Sequence, residues 1–354
     1  MTIPVRLAVV GLGWIGSKHA ELINGHNTCR LVGLCDVDAS HVPVAEQFNV
    51  PFYQEIEELL EREKPEGVII ATPSESHSAM AEICARRSVH VLVEKPIADT
   101  LNEANRVVQM AKNGGIQVLV GHHRRHSPLI QEARSIVKSG ALGKLIGVSM
   151  LWALLKPADY FDVDWRCRRP GGGPTIINLI HELDSLRFLC GEIGRVYAQA
   201  SSAARKLDVE DSLSITLSFD SGALGSILAS DMTPSPWSYE ATTHENPHYF
   251  HAKENCYYFL GTLGSLAFPR MELWRFADDA RSSWQHPLEK SQHLVAHADP
   301  LKSQLEHFCR VVRNEENPLV DARDGTRSLA VALAVLESIE HQVPVEISEY
   351  AVPP

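Results

Sequence analysis

The chain reads as a two-part α/β protein: an N-terminal doubly wound parallel sheet, then an α+β domain with a large, mostly antiparallel open sheet. Three observations carry that expectation. Its 354 residues exceed what a single hydrophobic core usually organises. From residue 5 to residue 121, short continuous apolar runs alternate with helical patterns, as in βαβ units whose sheet is covered on both faces. From about residue 122 onward, strand patterns follow one another with glycine-bearing turns between them. The division is expected at 1–122 and 123–354.

In order, strands are expected at 6–10, 30–35, 67–71, 90–93 and 117–120, with helices at 15–23, 56–63, 76–87 and 101–112 between them. In the second part a helix at 129–139 precedes a strand at 144–154. A loop rich in Arg, Pro and Gly (166–174) then leads into a long helix at 176–189. Strands follow at 196–201, 212–219, 223–230, 257–260 and 265–268, and helical patterns at 301–313 and 325–340 complete the pattern.

Composition narrows the function classes. Apolar residues make up 44% and charged residues 22%, an ordinary globular balance. A net charge of −11 argues against nucleic acid as a partner, which needs a basic face to displace counterions, but leaves room for a small anionic substrate at a local cluster of arginines. The seven cysteines form no CxxC pair and fit neither a zinc site nor a disulfide framework. The histidines at 122, 123 and 126 lack the carboxylate or cysteine that would complete a metal set, so no metal is expected. With no signal-peptide pattern and no apolar run of membrane-spanning length, a cytoplasmic protein is expected.

The first strand runs into Gly11-Leu12-Gly13-Trp14-Ile15-Gly16 and then a helix. A GxGxxG motif is specific only in that context, which is the context here. The first two glycines permit a tight turn and close approach of the backbone to a pyrophosphate; the third lets helix and strand pack. The loop and the helix start, Trp14 and Ile15 included, are thus a dinucleotide cradle of Rossmann type. The second strand ends at Asp36, where an acid would hold ribose hydroxyls. Val37, Asp38 and Ala39 follow with no cation for a 2′-phosphate, so NAD is favoured over NADP.

Ligands of such sheets bind beyond the carboxyl ends of the strands. The strand at 67–71 ends in Thr72-Pro73-Ser74-Glu75-Ser76-His77, and that at 90–93 in Glu94-Lys95-Pro96. Lys95, carried to the sheet rim by four apolar residues, suits proton transfer or a hydrogen bond to a substrate oxygen. His77 has two equal readings, a contact to the nicotinamide ribose or a hydrogen-bonded residue at a helix start. On the helix at 176–189, Asn178, His181, Glu182 and Ser185 keep helical spacing and form one polar stripe. His181 is balanced between a site residue and a satisfied core histidine. Asp184 could orient its ring or pair with Arg187.

These residues together resemble the Gfo/Idh/MocA family, which includes glucose–fructose oxidoreductases and inositol dehydrogenases. The resemblance rests on GLGWIG at 11–16, ATPSESH at 71–77, VEKP at 93–96, VGHHRR at 120–125, Trp165-Arg166 followed by PGGG at 170–173, and the Asn178–His181 helix. GTLGSL at 261–266 and DGTRSLAVALAVLES at 324–338 extend it over nearly the whole chain. It implies NAD-dependent oxidation of a secondary hydroxyl of a sugar, inositol or related polyol, or the reverse reduction. It implies Lys95 as a catalytic or substrate-binding group and His181 as the acid/base. His123 stands where the family has an asparagine, and Arg124 matches an arginine near nicotinamide and substrate. It also implies a homodimer or homotetramer built on the open sheet. One departure stands out: where many relatives carry Asp four residues before the histidine, this chain has Ile177, with Asn178 next to it. Proton transfer then falls on His181 and Lys95.

Thr72, Pro73, His77, Glu94, Lys95 and His123 complete the expected cofactor contacts. Trp165, Arg166, Asn178, Arg124, Lys95 and His181 are the expected substrate contacts. The cluster Arg166, Arg168 and Arg169 either clamps a substrate carboxylate or is solvated and paired with the chain's excess acids. Two rival functions share the fold: transient use of bound NAD in glycoside processing, and a non-catalytic NAD-sensing protein.

Overall fold

A computed structural model describes residues 3–169, 171–278 and 282–350. Pro170, which the loop at 166–174 and the PGGG motif include, lies outside them. The described chain divides into two compact units, residues 3–123 with 300–329, and residues 124–299 with 330–350. The segment 300–329 thus belongs to the first unit, although it follows the expected division at 122/123.

In the first unit, β1 (Val5–Val10), β2 (Cys29–Cys35), β3 (Phe52–Tyr53), β4 (Gly67–Ile70), β5 (His90–Val93) and β6 (Val118–Val120) form one parallel sheet in the order β3-β2-β1-β4-β5-β6. The chain reverses its direction of travel between β1 and β4, which is the switch point of a doubly wound sheet. Helices α1 (Trp14–Asn24), α2 (Val42–Phe48), α3 (Ile56–Glu63), α4 (His77–Ala85) and α5 (Leu101–Gly114) connect the strands. Leu7, Ala8, Val9, Val68, Ile69, Ile70, Val91, Leu92 and Val93 are all fully buried, as continuous apolar strands covered on both faces must be. β3 is an addition to the expected strands. Two residues at a sheet edge are too short to make an apolar run.

The second unit contains α6 (Pro128–Lys138), β7 (Leu145–Ala153), α7 (Ile180–Cys190), β8 (Ile193–Ser201), β9 (Ser212–Phe219), β10 (Leu224–Ser230), α8 (Tyr239–Thr243), β11 (Tyr257–Gly261), β12 (Gly264–Phe268), β13 (Glu272–Arg275) and β14 (Glu289–Gln292). After these come α9 (Pro300–Val312), α10 (Ala322–His341) and β15 (Val345–Glu346). Nine described strands form one sheet in the order β14-β13-β12-β11-β7-β10-β9-β8-β15, and only the β7–β10 pairing is parallel. Val148, Met150, Trp152, Leu213, Ile215, Leu217, Ile227, Tyr257 and Phe259 alternate into the core. The opposite face carries serines and threonines, with Leu224, Leu228, Tyr258 and Leu260 exposed. β14 is exposed at every residue and so lacks the alternation that reveals a strand.

α9 returns to the first unit for a reason visible at Gly67. A Cβ there would lie 2.9–3.0 Å from the side chains of Leu7, Phe308 and Val312, so α9 packs directly on the parallel sheet. The helix expected at 176–189 departs from regularity. Residues Thr175–Leu179 form a π-helical turn, and α-helical geometry starts only at Ile180. The Thr175 amide and hydroxyl both donate to Glu210 Oε1, at 3.1 and 2.5 Å, and this anchors the widened turn. The turn breaks the even spacing assumed for the polar stripe.

Candidate functional site

The glycine loop is held by sterics that only glycine satisfies. Gly11 has φ +88°, and a Cβ there would sit 2.7 Å from the Ala71 and Thr72 backbone. A Cβ on Gly16 would lie 1.8 Å from the Gly11 carbonyl oxygen, so this residue lets α1 close against the strand end. Gly13 differs: a Cβ there meets nothing within 4 Å. It caps α1 without a side-chain hydrogen bond, and the first turn carries no acid. Gly13 thus leaves open space at the helix start, and helix N-termini are where phosphates are commonly received. Trp14 is 68% exposed at the same turn, and Ile15 is half-buried.

Asp36 closes the loop on its other side. Its Oδ2 accepts from the Leu12 amide at 2.6 Å and its Oδ1 from the Asp38 amide at 2.9 Å. His41 Nδ1 lies 3.3 Å from the same carboxylate. That histidine lies two residues past the stretch in which a cation was sought.

The ends of β4 and β5 are braced by two buried side chains. His77 is 1% exposed, and its Nδ1 and Nε2 lie 2.9 and 2.8 Å from the carbonyl oxygens of Pro96 and Thr72. Burial holds the imidazole below the ordinary histidine range, against the pull of those carbonyls. The ring ties the Thr72 loop to the residue after Lys95, as a hydrogen-bonded histidine at the start of α4. Glu94 is also buried, and its Oε1 meets His19 Nε2 at 2.8 Å. Burial pushes its carboxyl up, but the His19 hydrogen bond and the charges of His19, Lys95 and His123 outweigh burial and hold it below the usual glutamate range. A Cβ on Gly121 would touch this carboxylate at 2.9 Å. Glu94, half-buried Lys95 and His123 thus share one electrostatic neighbourhood. Thr72 and Pro73 lie at the rim, where the Thr72 hydroxyl accepts from Ser76 Oγ at 2.7 Å.

In the second unit the polar stripe of the helix divides. Glu182 is fully buried: its Oε1 accepts from Arg124 Nη1 at 2.6 Å, and its Oε2 accepts from the Tyr257 hydroxyl. Arg124 also donates to Glu240 Oε1 at 2.7 Å and lies 3.9 Å above the Tyr239 ring. Trp152 Nε1 completes the cluster, donating to Glu240 Oε2 at 3.1 Å. Burial raises the Glu182 carboxyl although Arg124 opposes it. Asp184 receives Arg125 in a bidentate pair at 2.7 and 2.9 Å and stands 3.9 Å from Arg187. Two consecutive arginines therefore clamp α7 on either side of its first turn. Arg124, expected beside the substrate, lies 3% exposed in this frame. His181 sits in the same clamped turn, 8% exposed, with half-buried Ile177 in the π-helical turn before it.

Asn178 leaves the stripe altogether. Its Oδ1 accepts from Lys156 Nζ at 2.8 Å. Lys156 is buried, 3.3 Å from Asp231 and 5.9 Å from the Trp152 ring centroid. Burial lowers its ammonium below the ordinary lysine range, with Asp231 opposing. The sequence reading passed over Lys156, yet Lys156-Pro157 follows an apolar strand just as Lys95-Pro96 does. Arg166 is half-buried and donates to the Tyr160 carbonyl at 2.9 Å, and Trp165 beside it is 54% exposed. A Cβ on Gly172 would meet the carbonyls of Trp165, Arg166 and Arg168 at 2.5–2.7 Å, so this glycine lets the arginine loop fold onto the start of the helix.

Residues 5–122 match the Gfo/Idh/MocA model described as an oxidoreductase family with an NAD-binding Rossmann fold, and residues 130–267 match the Gfo/Idh/MocA C-terminal domain. Over 98% of its length the chain is 24% identical to myo-inositol 2-dehydrogenase of Thermotoga maritima, covering 99% of that protein. It is 27% identical to the scyllo-inositol 2-dehydrogenase (NAD(+)) of Bacillus subtilis, covering 97% of this chain and 96% of that one. Among solved structures, an oxidoreductase from Agrobacterium radiobacter in complex with NAD+, L-tartaric acid and magnesium superposes with a TM-score of 0.82. It is 20% identical, over 99% of this chain and all of that one.

Proposed function

The chain belongs to the Gfo/Idh/MocA oxidoreductase family, and from that premise we propose that it oxidises a secondary hydroxyl of a sugar, inositol or related polyol, or runs the reverse ketone reduction, with NAD. Bound NAD supplies the hydride acceptor. The observation that carries the reading is Lys95, held at the carboxyl end of β5 by the Glu94 and His77 braces, in the same sheet as the open Gly13 turn.

Each unit contributes its own groups. In the first, the backbone from Gly11 to Gly16 cradles the pyrophosphate and Asp36 takes the ribose hydroxyls, which favours NAD over NADP. Thr72, Pro73, Glu94 and His123 line the remaining cofactor surface, and His77 positions the loops that carry them. Lys95 donates to the substrate oxygen and polarises it. In the second, His181 accepts the hydroxyl proton, and Asn178, Trp165 and Arg166 contact substrate. Arg124 acts through α7, as a positioning residue.

The exposed Leu224, Leu228, Tyr258 and Leu260 on the open sheet support a homodimer or homotetramer assembled through that face. Six of the seven cysteines are buried as free thiols, which suits the reducing cytoplasm. No described helix is long and apolar enough to cross a membrane.

NADH formation with a panel of sugars, inositols and polyols tests the reading. A substrate should be found, and Lys95→Met should lower its kcat/KM by about 100-fold or more, the usual worth of a positioned acid–base group. NAD binding without NADH from any member would favour the NAD-sensing protein. Altered sugar without NADH accumulation would favour transient use of NAD.

A further inference from the structure

The three arginines before the glycine run part company in the structure. Arg168 pairs with Asp164 at 2.9 Å on the surface, and Arg169 faces Glu210 at 3.7 Å. Arg166 has a different environment. Its Nη1 holds the Tyr160 carbonyl, and its guanidinium carbon stands 4.2 Å from the Tyr160 ring centroid. Among the described residues no carboxylate lies within ion-pair distance of it. In a chain of net charge −11, such a cation is conspicuous.

Lys156 reaches the same ring, its Nζ 4.6 Å from the Tyr160 centroid. Its carboxylate partner Asp231 is shared with Arg205, whose Nε lies 3.1 Å from Asp231 Oδ1. Glu240, the other acid that acts on Lys156, is bonded to Arg124 and Trp152. Lys156 thus joins two neighbours, sharing the Tyr160 ring with Arg166 and Asp231 with Arg205, whose guanidinium lies 3.8 Å from the Phe161 ring centroid; Asn178 accepts from Lys156. Two backbone hydrogen bonds hold the loop that carries Arg166: the Gly172 amide donates to the Arg168 carbonyl at 2.8 Å and the Gly173 amide to the Arg166 carbonyl at 3.3 Å. A neutral polyol brings no negative charge to Arg166. A carboxylate does, and a planar guanidinium matches it with two parallel hydrogen bonds.

We propose that Arg166 and Lys156 form a carboxylate subsite, so that the preferred substrate is a sugar or polyol acid of the uronate or aldonate class. The proposal deepens the dehydrogenase reading above and rests on it for the reaction, but the subsite itself is a binding claim.

The test uses matched pairs: D-glucuronate and D-glucose, D-galacturonate and D-galactose, D-gluconate and D-glucitol. NADH formation gives kcat/KM for each, and calorimetry on the NAD-loaded protein gives binding. The acid should exceed its neutral partner by about 10- to 150-fold, the worth of a charge-assisted hydrogen bond. Arg166→Gln should collapse that ratio toward one and Arg166→Lys should restore part of it, whereas Arg168→Gln keeps the discrimination. Lys156→Met should lower the ratio too, with a melting curve to show that the variant folds. Neutral members turned over as well as acids, a ratio indifferent to Arg166, or no binding of any acid would overturn the subsite. Acid binding that Arg166→Gln weakens, without NADH from any pair, would leave the subsite standing and remove the dehydrogenase reading instead.

Discussion

The Gly11–Gly16 loop and the first turn of α7 both present polar groups on an apolar scaffold, but they are held by opposite means. The loop is fixed chiefly by the absence of side chains: Gly11 and Gly16 leave no room for a Cβ against the Gly11, Ala71 and Thr72 backbone, and the nearby Asp36 carboxylate accepts from the Leu12 amide. The turn is fixed by charges drawn from distant chain segments. Arg124 and Arg125 reach α7 from before α6, Glu240 lies in α8 and Tyr257 in β11. A substitution in the loop should therefore act through space, and one around α7 through stranded charge.

The charge frame gives the largest expected effect. Arg124→Met leaves Glu182 and Glu240 buried without their cation, and breaking such a pair costs about 3–5 kcal/mol. Urea unfolding should show that loss, with kcat falling as His181 loses its support. The double variant Arg124→Met/Glu182→Gln should recover part of the stability, because one of the stranded charges is gone. Equal losses in the single and double variants would show that size, rather than charge, is what the frame needs.

The loop should behave differently at two of its own glycines. Gly16→Ala drives a Cβ into the Gly11 carbonyl and should cost about 1–3 kcal/mol, as overpacking does. Gly13→Ala meets no protein atom within 4 Å, so its melting temperature should match the parent within error. Its NAD affinity should nonetheless fall by about tenfold, roughly 1.4 kcal/mol, as the new methyl occupies the space a pyrophosphate needs. Unchanged affinity in Gly13→Ala would remove that turn from the cofactor site.

The same contrast explains what the sequence made legible. A parallel sheet and a glycine loop follow from patterns within a few residues, so the strands around β1, β2, β4, β5 and β6 and the tight loop at 11–16 are legible directly. The frame around α7 is not. Nothing local announces that Arg124 pairs with Glu182 and Glu240, which lie far along the chain. The polar stripe was read on an ideal helix, and the π-helical turn at Thr175–Leu179 turns Asn178 toward Lys156 instead. Lys156 itself was within reach, since its Lys-Pro pair after an apolar strand repeats the pattern that singled out Lys95. The segment 300–329 joins the first unit through α9 packing near Gly67, a long-range contact with no sequence signature.

The smallest effect concerns charge inside the backbone-held unit. At Glu94 the first unit uses a buried charge as the second does, through His19, Lys95 and His123. Its folded carboxyl titrates below the usual glutamate range of about 4.3, so the folded state binds its proton less readily than the unfolded chain. That contribution to stability is fully present above the ordinary value and is lost as pH falls through the lower folded one. Glu94→Gln removes the titrating group. The parent should be more stable than the variant at pH 7 by about 1–3 kcal/mol, the worth of a hydrogen bond to a charged group, and the gap should narrow as pH falls below about 4.3. Urea midpoints from pH 7 to pH 3 would read it. A gap that holds constant on acidification would mean that Glu94 braces the Lys95 turn by shape alone.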